Sequence, residues 1–184
     1  MKQAVDQAEP NPGHYSLVQL ERWGLLKSTM TQNVDNLHHL AGSKSVLEIH
    51  GNRTLLRCTV CGNRWPKAED SLNQLPPICP HCAGIAKYDT VMFGEPIPQD
   101  VLQECQEQTL LCDVMLLIGT SGTVKPAAQL PLAAKERGAP LIEVNTEDTA
   151  LTPWCQLSLR GPSGELLPLL TELVEQIQGE QIGQ

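Results

Sequence analysis

The chain has 184 residues, 41% of them apolar and only 3% aromatic, with a formal net charge of −8. That length suits one ordinary domain, or a domain carrying a small insertion, with a core of aliphatic side chains. The acidic balance and the lack of any long basic run argue against sequence-independent nucleic-acid binding, and no stretch of about eighteen apolar residues is present to span a membrane. Residues 1–6 carry no apolar stretch suited to a signal peptide. Asn11-Pro12 then opens a helix: Asn11 can cap, and Pro12 fits the first turn, where its missing N–H costs nothing. Leu17, Leu20 and Trp23 give that helix one apolar stripe, and Gly24 is its stop. Residues 25–30 read as a short strand, 34–40 as a short helix closed by Gly42, and 45–49 as a second strand ending at His50.

Residues 53–90 change character. They hold four of the seven cysteines and prolines at 76, 77 and 80, with little periodicity, and read as a small metal-stapled module. Afterwards 114–118 is a continuous apolar run, as expected of a strand buried on both faces of a parallel sheet. A Gly-Thr-Ser-Gly turn follows, then a helix over 126–137 ending at Gly138, a strand over 141–145, and a closing amphipathic helix over 165–177. Strands alternating with helices predict an α/β fold with a doubly wound, Rossmann-like parallel sheet. Its first part is 1–52, its second part 91–184, and the module 53–90 is inserted between them.

Cys58-x-x-Cys61 and Cys79-x-x-Cys82 are separated by seventeen residues. Each such turn brings two thiolates to one metal, and two turns complete a tetrahedral zinc site with no open position, which makes the zinc structural. The competing readings are a redox pair or a nucleic-acid-binding zinc ribbon; against the ribbon, the module has few basic residues and one aromatic, Trp65. An odd count of seven cysteines with two C-x-x-C pairs points to a reducing, cytoplasmic setting. Cys105, Cys112 and Cys155 read as small buried apolar residues. His50 follows a strand, so its imidazole sits where it can accept a proton from a hydroxyl near neutral pH, although a lone histidine there is more often structural. Gln32, Asn33 and Asp35 offer amides and a carboxylate at another strand end, suited to ribose hydroxyls and a carboxamide. His38 and His39 read as packing or capping residues. Gly119-Thr120-Ser121 ends the most apolar strand and is expected to open a helix, exposing N–H groups and hydroxyls to an anion or sugar. Asn145-Thr146-Glu147, after the next strand, suits an adenosine ribose.

Taken in order, TQNVDNLHHLAGS, EIHGN, the cysteine pairs, FGEPIP, IGTSGTVKPAA and VNTE resemble the sirtuin family of NAD-dependent protein-lysine deacylases over nearly the whole chain. The resemblance implies NAD and zinc as cofactors and an acyl-lysine protein or peptide as substrate. It places Gln32, Asn33, Val34 and Asp35 at the nicotinamide ribose and carboxamide. Gly119, Thr120, Ser121, Asn145, Thr146, Glu147 and Ser163 would hold the rest of the NAD, and Val91, Met92, Phe93 and Gly94 would meet the substrate backbone. The acyl oxygen would attack the anomeric carbon as nicotinamide leaves. His50, helped by Asn33 and Asp35, would then act as base on a ribose hydroxyl, giving free lysine and 2′-O-acyl-ADP-ribose. Family members also carry a first strand and a Gly-Ala-Gly-x-Ser loop, whereas no Gly-x-Gly occurs in this sequence. The expectation is therefore a fold lacking that first βα unit and a deacylase impaired by its loss. The alternatives are a catalytically silent peptide-binding scaffold and an NAD-hydrolysing or ADP-ribosylating enzyme.

Overall fold

The computed structural model describes residues 8–68 and 75–182. The N-terminal stretch read for a signal peptide, and 69–74 within the expected module, lie outside the described residues. Helix α1 spans Pro12–Arg22, capped at its start by the Asn11 side chain, which accepts from the His14 backbone N–H. At its far end Gly24 adopts φ 71°, and the N–H groups of Leu25 and Leu26 both turn back to the Leu20 carbonyl. That C-terminal turn uses residues the sequence assigned to a strand, so β1 is only Thr29–Thr31. Helix α2, Leu37–Ala41, closes on Gly42, and β2 is Val46–Glu48, parallel to β1.

Strands β3 (Gly51–Cys58), β4 (Arg64–Pro66) and β5 (Ala86–Thr90) form a separate antiparallel sheet in the order β4-β3-β5. The chain then enters α3 (Gln99–Leu111), β6 (Met115–Ile118), α4 (Leu130–Glu136), β7 (Leu141–Asn145), β8 (Leu157–Arg160) and α5 (Ser163–Ile182). Strands β6, β7 and β8 are parallel in that order. The parallel strands thus fall into two hydrogen-bonded groups, β1-β2 and β6-β7-β8.

Alternation along the strands feeds two opposite faces. Leu117 and Leu141 join Ala134, Ala139 and Leu151 on the α4 face, whereas Val144 joins Leu17, Leu20 and Leu167 beneath α1 and α5. A third cluster, Ile49, Cys105, Ala127 and Leu130, lies beneath α3. Helices cover both faces, as the doubly wound expectation requires. Two details differ from it. Strand β6 pairs on one edge only among the described residues, so Met115, Leu116 and Ile118 are half-buried, not enclosed. Cys105 is fully buried, but Cys112 and Cys155 are half-buried at the margin of the first cluster.

Candidate functional site

Parallel strands present their carboxyl ends on one side, and that is where open α/β sheets bind ligands. Here β1 runs into Gln32, β2 into the turn holding His50, β6 into Gly119, and β7 ends at Asn145. Hydrogen bonds join all four ends. His50 Nδ1 lies 3.1 Å from the Gln32 carbonyl oxygen. A carbonyl only accepts, so Nδ1 carries the proton and Nε2 of the neutral ring is left as the acceptor. The Gln32 side chain donates across 88 positions of sequence to Thr120 Oγ1 at 3.2 Å. Asn145 Nδ2 in turn donates to the Thr120 carbonyl at 3.0 Å. The catalytic-type loop and the nucleotide-type loops read separately from the sequence are therefore one assembly.

Around that chain the backbone is tightly specified. Asn36 adopts the left-handed conformation, φ 68°, and its side chain accepts from Asn52 Nδ2 at 2.8 Å. Asn52 also donates to Glu48 at 2.7 Å and accepts from the N–H and hydroxyl of Thr54, so its buried amide is satisfied from both ends. The Asp35 carboxylate accepts from the Leu37 N–H, which holds it at the start of α2. Asn33 is exposed and Gln32, Val34 and Asp35 half-buried, open enough to meet a ligand. His38 packs its ring 4.9 Å from that of His14, and His39 lies 3.5 Å from Glu48. Burial, and then the neighbouring His14, hold the His38 imidazole below its usual range. His38 packs, as the sequence suggested, whereas His39 is exposed beside Glu48.

Beyond β6 the expected helix start is not found. Gly119 (φ 59°) and Gly122 (φ 66°) bend the chain through an open loop, and helical structure begins only at the 3-10 turn Ala127–Gln129 and α4. Thr120 and Ser121 consequently offer loop N–H groups and hydroxyls, not a helix N-terminus, while the Gly119 N–H is bonded to the Val144 carbonyl. Two adjoining clefts open here. One, of about 620 Å³, is lined by Asn11, Gly119, Asn145, Gly161, Ser163 and Glu165 among others. The second, of about 470 Å³, is lined by Thr120, Ser121, Asn145, Thr146, Glu147 and Asp148 among others. Every residue assigned to the non-nicotinamide part of NAD lies on one or both.

Residues 91–94 leave β5 beside His50: the Val91 N–H donates to the His50 carbonyl at 2.9 Å. Met92 and Phe93 are exposed. Glu95, not singled out from the sequence, ties this segment down. It accepts from Arg57 Nη2 at 3.1 Å, from Lys87 Nζ and from the Met92 N–H at 3.0 Å. Bonds from Lys87 first, then from the Met92 backbone, hold its carboxyl below the ordinary range.

The four paired cysteines converge at the end of the antiparallel sheet, with their sulfurs all within 4.8 Å of one another. Cys58 and Cys82 sulfurs are 3.5 Å apart, and Cys61 and Cys79 sulfurs 3.8 Å. Four sulfurs placed about 2.3 Å from one ion at tetrahedral corners stand about 3.8 Å apart. The set therefore fits a zinc ion. Backbone N–H groups of Val60, Cys61 and His81 point at Cys58 and Cys79, as thiolates require. The Cys61 N–H foremost brings the Cys58 thiol down to about 6.

Compared with known proteins, residues 1–126 match the family model described as the Sir2 family. An NAD-dependent protein deacylase 2 from Pyrobaculum aerophilum is 41% identical over 174 residues, spanning 95% of this chain and 70% of that relative. An NAD-dependent protein deacylase from Aeropyrum pernix is 49% identical over 153 residues, 83% of this chain and 62% of its own length. Among solved structures, a Sir2 homolog–NAD complex superposes with a TM-score of 0.85 at 41% identity, covering 94% of this chain and 68% of the other. Sir2Af2 bound to a myristoylated histone peptide gives 0.81 at 41% identity, covering 94% and 75%.

Proposed function

We propose the function from one premise: the chain belongs to the Sir2 family. It is an NAD-dependent protein-lysine deacylase, and the observation that carries this reading is the hydrogen-bond chain from His50 through Gln32 and Thr120 to Asn145. NAD, consumed as a substrate, supplies a ribose that takes the acyl oxygen as nicotinamide leaves. Gln32, Asn33, Val34 and Asp35 face that ribose and the carboxamide. Gly119, Thr120, Ser121, Asn145, Thr146, Glu147 and Ser163 hold the remainder of the nucleotide in the two adjoining clefts. Residues 91–94 meet the backbone of the acyl-lysine peptide. His50 Nε2 takes the proton of a ribose hydroxyl, that oxygen attacks the acyl carbon, and a water molecule supplies the second oxygen as lysine is released, so the acyl group ends on ADP-ribose. Zinc, held by Cys58, Cys61, Cys79 and Cys82, braces the module spanning 53–90 and takes no part in the chemistry.

No Gly-x-Gly occurs in the sequence, so the pyrophosphate draws its N–H donors from Thr120 and Ser121 and from Ser163 and Gly164, and turnover by this chain alone is slow. None of the described cysteines is joined in a disulfide, in keeping with a reducing, cytoplasmic compartment. Among the described residues no helix is long and apolar enough to cross a membrane. Mass spectrometry of the products separates the readings. An acetyl-lysine peptide and NAD should give deacetylated peptide and acetyl-ADP-ribose in equal amounts. Free ADP-ribose formed without peptide would instead favour an NAD hydrolase, and peptide bound without any product would favour a silent scaffold.

A further inference from the structure

Strand β7 reads Leu-Ile-Glu-Val-Asn, and its central carboxylate is almost completely buried: Glu143 is 1% exposed. It is on the face of β7 that also carries Leu141, a member of the apolar cluster beneath α4. A carboxylate in such a place is costly unless every lone pair is used. Here they are used. Glu143 Oε1 accepts from the Thr149 hydroxyl, and Oε2 accepts from the Thr152 hydroxyl at 2.7 Å, the Ser158 hydroxyl at 3.3 Å and Arg160 Nη2 at 2.9 Å. Burial pushes this carboxyl up, but the bonds from Thr149, Thr152 and Arg160 outweigh it and leave it below the ordinary range.

The two threonines do more than satisfy the charge. Each hydroxyl has one proton, which it gives to Glu143, and each uses its oxygen to hold the loop backbone. Thr149 Oγ1 accepts from the Leu151 N–H at 3.1 Å, and Thr152 Oγ1 accepts from the Thr149 N–H at 2.7 Å. Arg160 extends the lattice outward to Asp148, at 2.9 Å from Nε. Residues Thr146, Glu147, Asp148, Thr149 and Ala150 form one wall of the second cleft. Asn145 secures the near end of that wall through Thr120. Its far end is secured from Glu143.

We propose that Glu143 is a positioning residue for nucleotide binding: through Thr149, Thr152 and Arg160 it holds the 146–152 loop as the wall of the cleft that takes the adenosine end of NAD. The proposal rests on the nucleotide-site reading above. It also requires an ionised carboxylate, because the surrounding groups are donors. In Glu143→Gln the new amide cannot face the Arg160 guanidinium, so it must face Thr149, whose hydroxyl then loses its acceptor.

The experiment measures binding of ADP-ribose alone by calorimetry, then steady-state kinetics with NAD and peptide, for the wild-type chain, Glu143→Gln, Thr152→Val and Thr152→Ser. Loss of a hydrogen bond to a buried charge should weaken ADP-ribose binding by about tenfold in Glu143→Gln and Thr152→Val. The KM for NAD should rise to match, while kcat at saturation and the KM for peptide stay near wild type. Thr152→Ser, which keeps the hydroxyl, should restore binding. A purely structural role would lower the active fraction, and hence kcat, without moving the KM for NAD. Unchanged ADP-ribose affinity in both Glu143→Gln and Thr152→Val overturns the proposal while the nucleotide site stands. Failure of the wild-type chain to bind ADP-ribose overturns the nucleotide-site reading and the proposal with it. Should Glu143→Gln not fold, the Thr152 pair decides alone.

Discussion

Gly51 separates His50 from β3, and replacing it with alanine tests whether the backbone around the base is as tightly fitted as it looks. A Cβ there would lie 2.0 Å from the Asp89 carbonyl oxygen and 2.8 Å from its carbon. A carbon–oxygen contact settles at about 3.3 Å, so one of the two backbones must retreat by about 1.3 Å. Gly51 also sits at φ 77°, which costs an L residue about 1–2 kcal/mol. Adding about 1–3 kcal/mol for the forced contact gives a destabilisation of about 2–5 kcal/mol. For a domain of this size that lowers Tm by roughly 5–20 °C, short of abolishing the fold. Gly51 pairs with Thr90, and the adjoining His50 carbonyl holds the Val91 N–H, so the displacement is delivered to the base and to the peptide segment together. A shift of about 1 Å in a catalytic group costs about a hundredfold in rate. Thermal unfolding and NAD-dependent deacylation of Gly51→Ala, assayed well below its Tm, should show both losses. Wild-type Tm and turnover together would refute this account of the His50 turn.

Removing the metal should act at a distance. Chelation, or Cys58→Ser, should unravel the β3-β4-β5 sheet and abolish turnover although no cysteine lines the clefts, and full activity in zinc-free protein would contradict a structural zinc. Glu95→Ala frees the Met92 N–H and leaves Lys87 and Arg57 without their shared carboxylate. It should raise the KM for peptide about tenfold with little effect on ADP-ribose binding, and an unchanged peptide KM would remove Glu95 from the groove. Glu95 and Glu143 both have carboxyl pKa values lowered in the folded state. Their stabilising contribution is therefore complete above the unfolded carboxylate pKa of about 4.3 and is lost as pH falls through the lower folded values. Urea midpoints measured between pH 6 and roughly pH 3 should fall on acidification, less steeply in Glu143→Gln; identical slopes would show that folding does not lower the Glu143 pKa, and a steeper fall in the variant that folding raises it.

What the sequence disclosed was local. Asn11 as a cap, the paired cysteines and the residues placed at strand ends are features of short windows, and the structure places them accordingly. The strand before Gln32 is shorter than its apolar run because Leu25 and Leu26 look like strand residues, yet their N–H groups close the preceding helix. The loop after Gly119 resembles a helix start because strand-turn-helix is the common pattern, yet two left-handed glycines carry it elsewhere. Glu143 leaves a trace, an acid at the centre of an apolar strand, but its partner Arg160 lies on another strand and nothing local links them. Asn52 and Glu95 were hidden for the same reason: their meaning comes from groups that only the fold brings close. The bond from Gln32 to Thr120 is the extreme case, since neither residue predicts the other.

The most direct test of the central claim is NAD-dependent release of nicotinamide from an acetyl-lysine peptide by the 184-residue chain, with His50→Ala beside it. If His50, Gln32, Thr120 and Asn145 form one working site, release requires the peptide and falls about a hundredfold or more without the imidazole, while ADP-ribose binding persists. Nicotinamide release that ignores His50 or the peptide, or none at all from folded, zinc-loaded protein that binds ADP-ribose, would contradict it.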